Sequence, residues 1–295
     1  MPELPEVETV CRGITSFIAD QPIESVRQNR PDLRWPMPDL ISCFAGPSAN
    51  LPCYFGRPTR RGKYILAPVF TRAAQAQTAA REHSALKQGD LLIHLGMSGT
   101  LRMETDSAPN WGKHDHVAFQ LGHGGWLVFR DPRRFGHIDW IDAKTNAPHW
   151  LLADMGPEPL SDGFDAAYLS QAIKTRKSPI KNLLLDQHLV AGIGNIYASE
   201  ALFRAGISPK RMGSSVAGKR AAALVPAIKS VLEEAIEQGG TSLRDHRQPD
   251  GDLGYFVQKL DVYGREGAPC HQCQASIRLI RQSGRASYYC ASCQR

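Results

Sequence analysis

The chain has 295 residues, with 35 Lys and Arg against 29 Asp and Glu for a formal net charge of +6, and 42% of its residues are hydrophobic. That length supports a real core divided over two domains, and the composition excludes fibrous, collagenous and wholly disordered classes. No apolar run reaches bilayer length and Met-Pro-Glu does not resemble a signal peptide, so a cytoplasmic protein is expected; the positive excess permits a polyanionic partner without requiring one.

The first element is a helix. Val7, Val10, Cys11, Ile14, Phe17 and Ile18 recur at helical spacing, and Pro5 suits the first helical position, where its missing N–H costs nothing. Glu3 and Glu6 fall off that stripe, beside the amino terminus. From about residue 23 to 142 the pattern is mostly β: KYILAPV, DLLIHL, HVAFQL and WLVFRD are short apolar or alternating runs, and GHGG between the last two reads as a hairpin turn. The stretch TRAAQAQTAAREHSALK has no apolar face and is expected to be a solvent-exposed excursion between strands. MGPEPLSDGF has a linker composition, and helical periodicity follows it. Leu224, Val225, Ile228, Val231, Leu232, Ala235 and Ile236 form one stripe ended by Gly239-Gly240, with Pro226 marking a start or a kink.

Two features in the second half carry chemistry. Cys270, Cys273, Cys290 and Cys293 form two CxxC knuckles at zinc-ribbon separation, which predicts one structural Zn2+ with all four positions filled and no redox or nucleotide cofactor. A pair of disulfides is the alternative, disfavoured in a cytosol. Between the knuckles, alternating residues around Gly284 predict a hairpin bearing Arg278, Arg281 and Arg285. In HLVAGIGNIYASEAL, two glycines and Asn195 precede a helical run; Asn195 reads as an N-cap, and free N–H groups there would suit a phosphate, with Lys174, Arg176, Lys177 and Lys181 upstream. A plain helix start remains an alternative.

The acidic start raises a separate possibility. If Met1 is removed, Pro2 becomes a secondary amine whose attack on a carbonyl-level carbon yields an iminium, with Glu3 and Glu6 placed to move protons or orient it. An ordinary exposed terminus fits the same residues.

MPELPEVET, RRGKYIL, HLGMSGTLR, KHDHV, DPRRFG, MGPEPLS, AGIGNIYASEALF and the four-cysteine tail, in that order, resemble the bacterial formamidopyrimidine-DNA glycosylases (the Fpg/MutM family). The resemblance implies an α+β chain of two domains: an N-terminal β-sandwich with an N-terminal helix (1–150), and a C-terminal helical part that comprises the helix-two-turn-helix segment (151–260) and a zinc-ribbon hairpin (261–295). It implies a monomeric, bifunctional DNA glycosylase and abasic-site lyase that excises 8-oxoguanine opposite cytosine, or formamidopyrimidines, from double-stranded DNA. Pro2 matches the nucleophile, Glu3 the proton donor, Lys63 the β-elimination lysine and Arg285 the δ-elimination arginine. His114, Arg133, Arg176 and Asn195 match DNA-contacting positions, and Met97, Arg133 and Phe135 match the side chains that fill the space of a flipped base. A non-enzymatic zinc-ribbon damage reader and an oxidised-pyrimidine glycosylase are the competing readings.

Overall fold

The structure, a computed structural model, describes residues 1–45, 52–71, 86–105, 111–241 and 259–295. Most of the Ala/Gln-rich excursion and the stretch 242–258 lie outside them.

The described residues form two compact units. The first holds residues 1–2 and 6–150. It contains most of α1 (Leu4–Ile18), then β1 (Pro22–Gln28), α2 (Leu40–Cys43), β2 (Cys53–Phe55), β3 (Thr59–Arg61), β4 (Tyr64–Thr71), β5 (Leu86–His94), β6 (Thr100–Glu104), β7 (Asp115–Leu121), β8 (Trp126–Arg130) and β9 (His137–Asp142). All pairings are antiparallel, and the strands join in the order β6-β8-β7-β1-β2-β4-β5-β9, with β3 beside β4. Phe119 of β7 and Trp140 of β9, from opposite halves of that path, both pack on the ring of Phe44. The sheet therefore folds over one core, a sandwich, and the buried stripe Val7, Val10, Cys11, Ile14 and Ile18 of α1 enters the same core. Each aliphatic side chain buried this way contributes about 1.5–3 kcal/mol. The GHGG hairpin forms as read: Leu121 N–H donates to Gly125 O and Gly124 N–H to Leu121 O, with Gly124 at φ 86°. The first helix begins at Leu4, one residue earlier than Pro5 suggested.

The second unit holds residues 3–5 together with the described residues from Leu151 onward. Its helices are α3 (Ala166–Ile173), α4 (Ile180–Leu184), α5 (Asn195–Arg204), α6 (Gly213–Val216) and α7 (Lys219–Glu237), and β10 (Arg278–Gln282) and β11 (Arg285–Tyr289) form a hairpin. The MGPEPLSDGF stretch is not a free linker: Phe164 is fully buried in the helical core and Gly156 N–H donates to Gln187 O at 2.9 Å. The α7 helix starts at Lys219 and runs through Pro226, so the proline neither starts it nor ends it; its ring lies on the exposed face. It stops where Gly240 N–H donates to Ala235 O and Gly239 N–H to Ile236 O, both glycines at positive φ, a Schellman closure. No helix among the described residues is long and apolar enough to cross a membrane.

Candidate active site

In the helical unit the amino-terminal arm meets the GIGN loop. Gly192 sits at φ 82°, where a Cβ would strike Leu4, and the Leu4 N–H donates to Gly192 O at 3.1 Å. A Cβ on Gly194 would fall inside the Glu3 carboxyl group. Glu3, only 3% exposed, uses this gap: its Oε1 accepts the Ile196 N–H at 2.9 Å and its Oε2 the Tyr197 N–H at 3.4 Å. The positive end of α5 is therefore occupied by the chain's own carboxylate, not left open for a phosphate. Two sequence expectations change with it. Gly194, not Asn195, is the N-cap, and Asn195 is the first helical residue, its side chain hydrogen-bonded to Tyr263.

Lys181 also departs from the expected basic run. Lys174, Arg176 and Lys177 are exposed, but Lys181 is buried, and its Nζ donates to Ala286 O at 2.6 Å and Ser287 Oγ at 2.8 Å on β11. Burial lowers its pKa to about 8; the nearby negative charge of Glu3 opposes that shift and Arg285 adds to it. Arg285 itself is exposed at the start of β11, next to the pinned residues. The hairpin turns through Ser283 and Gly284, at φ 47° and 76°, the type I′ geometry its twist favours. Glu200, fully buried, accepts the N–H groups of Asp261, Val262 and Tyr263, fastening α5 to the segment that leads into the cysteines. Burial raises its pKa, against the pull of those three donors.

The four cysteines converge, with all Sγ atoms within 4.8 Å of one another. The closest approaches include Cys270–Cys293 at 3.9 Å and Cys273–Cys290 at 3.4 Å, far from the S–S bond of about 2.05 Å that the disulfide alternative requires. Four thiolates about 2.3 Å from a common centre sit roughly 3.8 Å apart, so this set fits one tetrahedral metal ion.

The sheet unit carries the remaining candidates. Pro2 is buried behind the exposed Met1, and Glu6 is 2% exposed. Lys63 lies in the tight β3–β4 turn after Gly62 (φ 57°) and is only 7% exposed. Burial, with Lys63 and Arg34 adding positive charge, depresses the neighbouring His94 to a pKa of about 4. Its Nδ1 accepts the Gly96 N–H. Met97 and Phe135 are 37% and 43% exposed, so neither side chain belongs to the core. The Arg133 guanidinium lies 5.1 Å from the Phe135 ring centroid, while His114 is half-buried ahead of β7.

A family model described as the formamidopyrimidine-DNA glycosylase N-terminal domain matches residues 1–138, and one described as the H2TH domain of the same glycosylase matches 155–247. The chain belongs to the formamidopyrimidine-DNA glycosylase family. Relatives of that name from Ruegeria pomeroyi and Roseobacter denitrificans are 48% and 47% identical, each aligned over the whole of both chains. Among solved structures, the MutM (Fpg) protein of Thermus thermophilus is similar with a TM-score of 0.81 at 36% identity, covering 99% of this chain and 98% of its own. The Lactococcus lactis Fpg in complex with DNA containing an abasic site gives 0.83 at 32%, covering 99% of each. Gly194, Lys181 and the Ile196 and Tyr197 amides that hold Glu3 all lie within the H2TH match, whereas the partners of Lys181, Ala286 and Ser287, lie beyond it.

Sequence reasoning overlooked Glu200 and misassigned Lys181. Nothing in the local pattern marks the role of either, since the partners of Glu200 lie 61 to 63 residues away and those of Lys181 lie 105 and 106 residues away.

Proposed function

We propose that this protein is a bifunctional DNA glycosylase and abasic-site lyase that removes oxidised purines from double-stranded DNA in base excision repair, acting as a cytoplasmic monomer. The observation that carries the reading is the Glu3 carboxylate, buried and oriented by the α5 N-terminus one residue from Pro2. With Met1 removed, the Pro2 nitrogen attacks C1′ of the damaged nucleoside and the base departs with the electron pair of its glycosidic bond, as an anion that water protonates. The attacking nitrogen is then a positively charged N–H. Donors at the helix end complement negative charge on Glu3, so Glu3 enters as the acceptor of that proton. It passes the proton to O4′ as the sugar ring opens, leaving an iminium at C1′ and a hydroxyl at C4′. The cation withdraws electrons from C2′, and loss of a C2′ proton expels the 3′ phosphate; a second elimination expels the 5′ phosphate.

Glu6 orients the amine, Lys63 serves the first elimination and a phosphate, and Arg285 the second. His114 and Arg176 hold the backbone, with Asn195 contributing through its side chain and not through the α5 amides that Glu3 occupies, while Met97, Arg133 and Phe135 occupy the space of the extruded base. Zinc is the metal that four thiolates at this spacing select, and its role is structural. The division 1–150, 151–260 and 261–295 follows these roles.

Borohydride trapping on a duplex with 8-oxoguanine opposite cytosine tests the reading. A cross-link mapped to Pro2, lost when one residue is added before it, is the expected result. Trapping at another residue overturns the nucleophile. Absence of trapping by protein lacking Met1 that still binds the duplex makes it a damage reader instead, and trapping only on thymine-glycol duplexes makes it an oxidised-pyrimidine enzyme.

A further inference from the structure

The loops that present Met97, Arg133 and Phe135 are fastened to one buried side chain, Asp131, which is 0% exposed. Its Oδ1 accepts the Ser98 hydroxyl at 2.6 Å and the Arg133 N–H at 3.2 Å, and its Oδ2 accepts the Gly136 N–H at 2.7 Å. The carboxylate thus reaches the residue after Met97, Arg133 itself and the residue after Phe135. Its backbone joins the same knot: Asp131 N–H donates to His114 O at 3.0 Å, and His116 Nε2–H donates to Asp131 O at 2.8 Å.

Two further observations show how tightly the loops are set. A Cβ at Gly96, whose φ is 62°, would meet the backbone of Phe135 and Gly136, so the HLGMSG and DPRRFG loops touch main chain to main chain. Arg134 is held at φ 57°, a left-handed conformation that a non-glycine residue keeps only where its surroundings impose it. The three side chains that point outward leave from this rigid base.

We propose that Asp131, acting through Ser98 and the loop amides, is a positioning residue that sets Met97, Arg133 and Phe135 as one pre-formed wedge. Hydrogen bonds to a buried carboxylate are charge-assisted, so this fastening resists the force needed to separate neighbouring bases in the stack. The inference rests on the reading above that these side chains enter the base stack.

The test places 2-aminopurine opposite a tetrahydrofuran abasic analogue and follows its fluorescence on rapid mixing with wild-type protein, Ser98→Ala, Asp131→Asn and Met97→Ala. Ser98→Ala is expected to slow the fluorescence change about tenfold, the loss of one charge-assisted hydrogen bond. Its affinity for undamaged duplex should change less than twofold, whereas a general loss of structure would weaken both. Asp131→Asn should be slower still, and if it fails to fold the Ser98 variant decides alone. Should Met97→Ala abolish the signal while Ser98→Ala keeps the wild-type rate, the positioning role is overturned and the wedge stands. If Met97→Ala itself leaves the signal intact, the wedge reading fails, and the positioning role with it.

Discussion

Glu3 and Ile196 are joined by a hydrogen bond of 2.9 Å across 193 positions of sequence, from a carboxylate in the amino-terminal arm to the first turn of α5. Only an N-cap without a side chain leaves room for that contact, because a Cβ on Gly194 would overlap the carboxyl group. Gly194 has a negative φ of −131°, so alanine is tolerated by its backbone and the substitution displaces Glu3 with little strain. Gly194→Ala should lower single-turnover base excision by about 100-fold, the size of effect that a misplacement near 1 Å produces. Binding to an undamaged duplex should change little. Rapid-quench kinetics beside an equilibrium binding measurement checks this.

Lys181 should matter for stability as well as for chemistry. Lys181→Met keeps the length of the side chain but deprives Ala286 O and Ser287 Oγ of their donor. Each buried group left unsatisfied costs about 1–3 kcal/mol, so the two together imply a loss of about 2–6 kcal/mol in urea unfolding. Arg285 begins the strand that Lys181 holds, so the ratio of one-cut to two-cut products on an abasic duplex should rise in parallel.

The hairpin should depend on the proposed zinc. Among the described residues, the fully buried members of its own apolar cluster are Phe203, Val262, Cys270, Ile277 and Cys290, too few to hold β10 and β11 without a cross-link. Chelation should release about one zinc per chain, as elemental analysis would read it, and strand cleavage should fall below detection. The helical signal in circular dichroism should survive, since α3 to α7 share a separate and larger core.

Acid should weaken the protein through His94. Its folded pKa is depressed to about 4 from 6.5, chiefly by burial, so the folded state disfavours the proton that the unfolded chain accepts. The resulting stability is fully present above pH 6.5 and is lost as pH falls toward 4. Between pH 7.5 and 5 the loss should be about 1–2 kcal/mol. In His94→Asn, whose carbonyl can still accept the Gly96 N–H, that pH dependence should flatten in denaturant titrations.

Much of this protein is legible in one dimension because its signals are local. The stripe of α7, the hairpin around Gly284, the GHGG turn and the two cysteine knuckles each declare themselves within a few residues, where backbone geometry and ligand spacing act. The family motifs, read as a resemblance, supplied the candidates from Pro2 to Arg285. What no local pattern could carry is who meets whom. The α5 N-terminus looks like an anion site in sequence, and it is one, but tertiary structure decides that the anion is Glu3. Lys181 looks like one more phosphate contact until folding buries it against β11, and Asp131 looks like an ordinary loop acid until Ser98, Arg133 and Gly136 close on it. Charges and hydrogen-bonding groups are set by residue type; whether they face solvent or a partner is set by packing, and packing brings together residues that sequence keeps far apart.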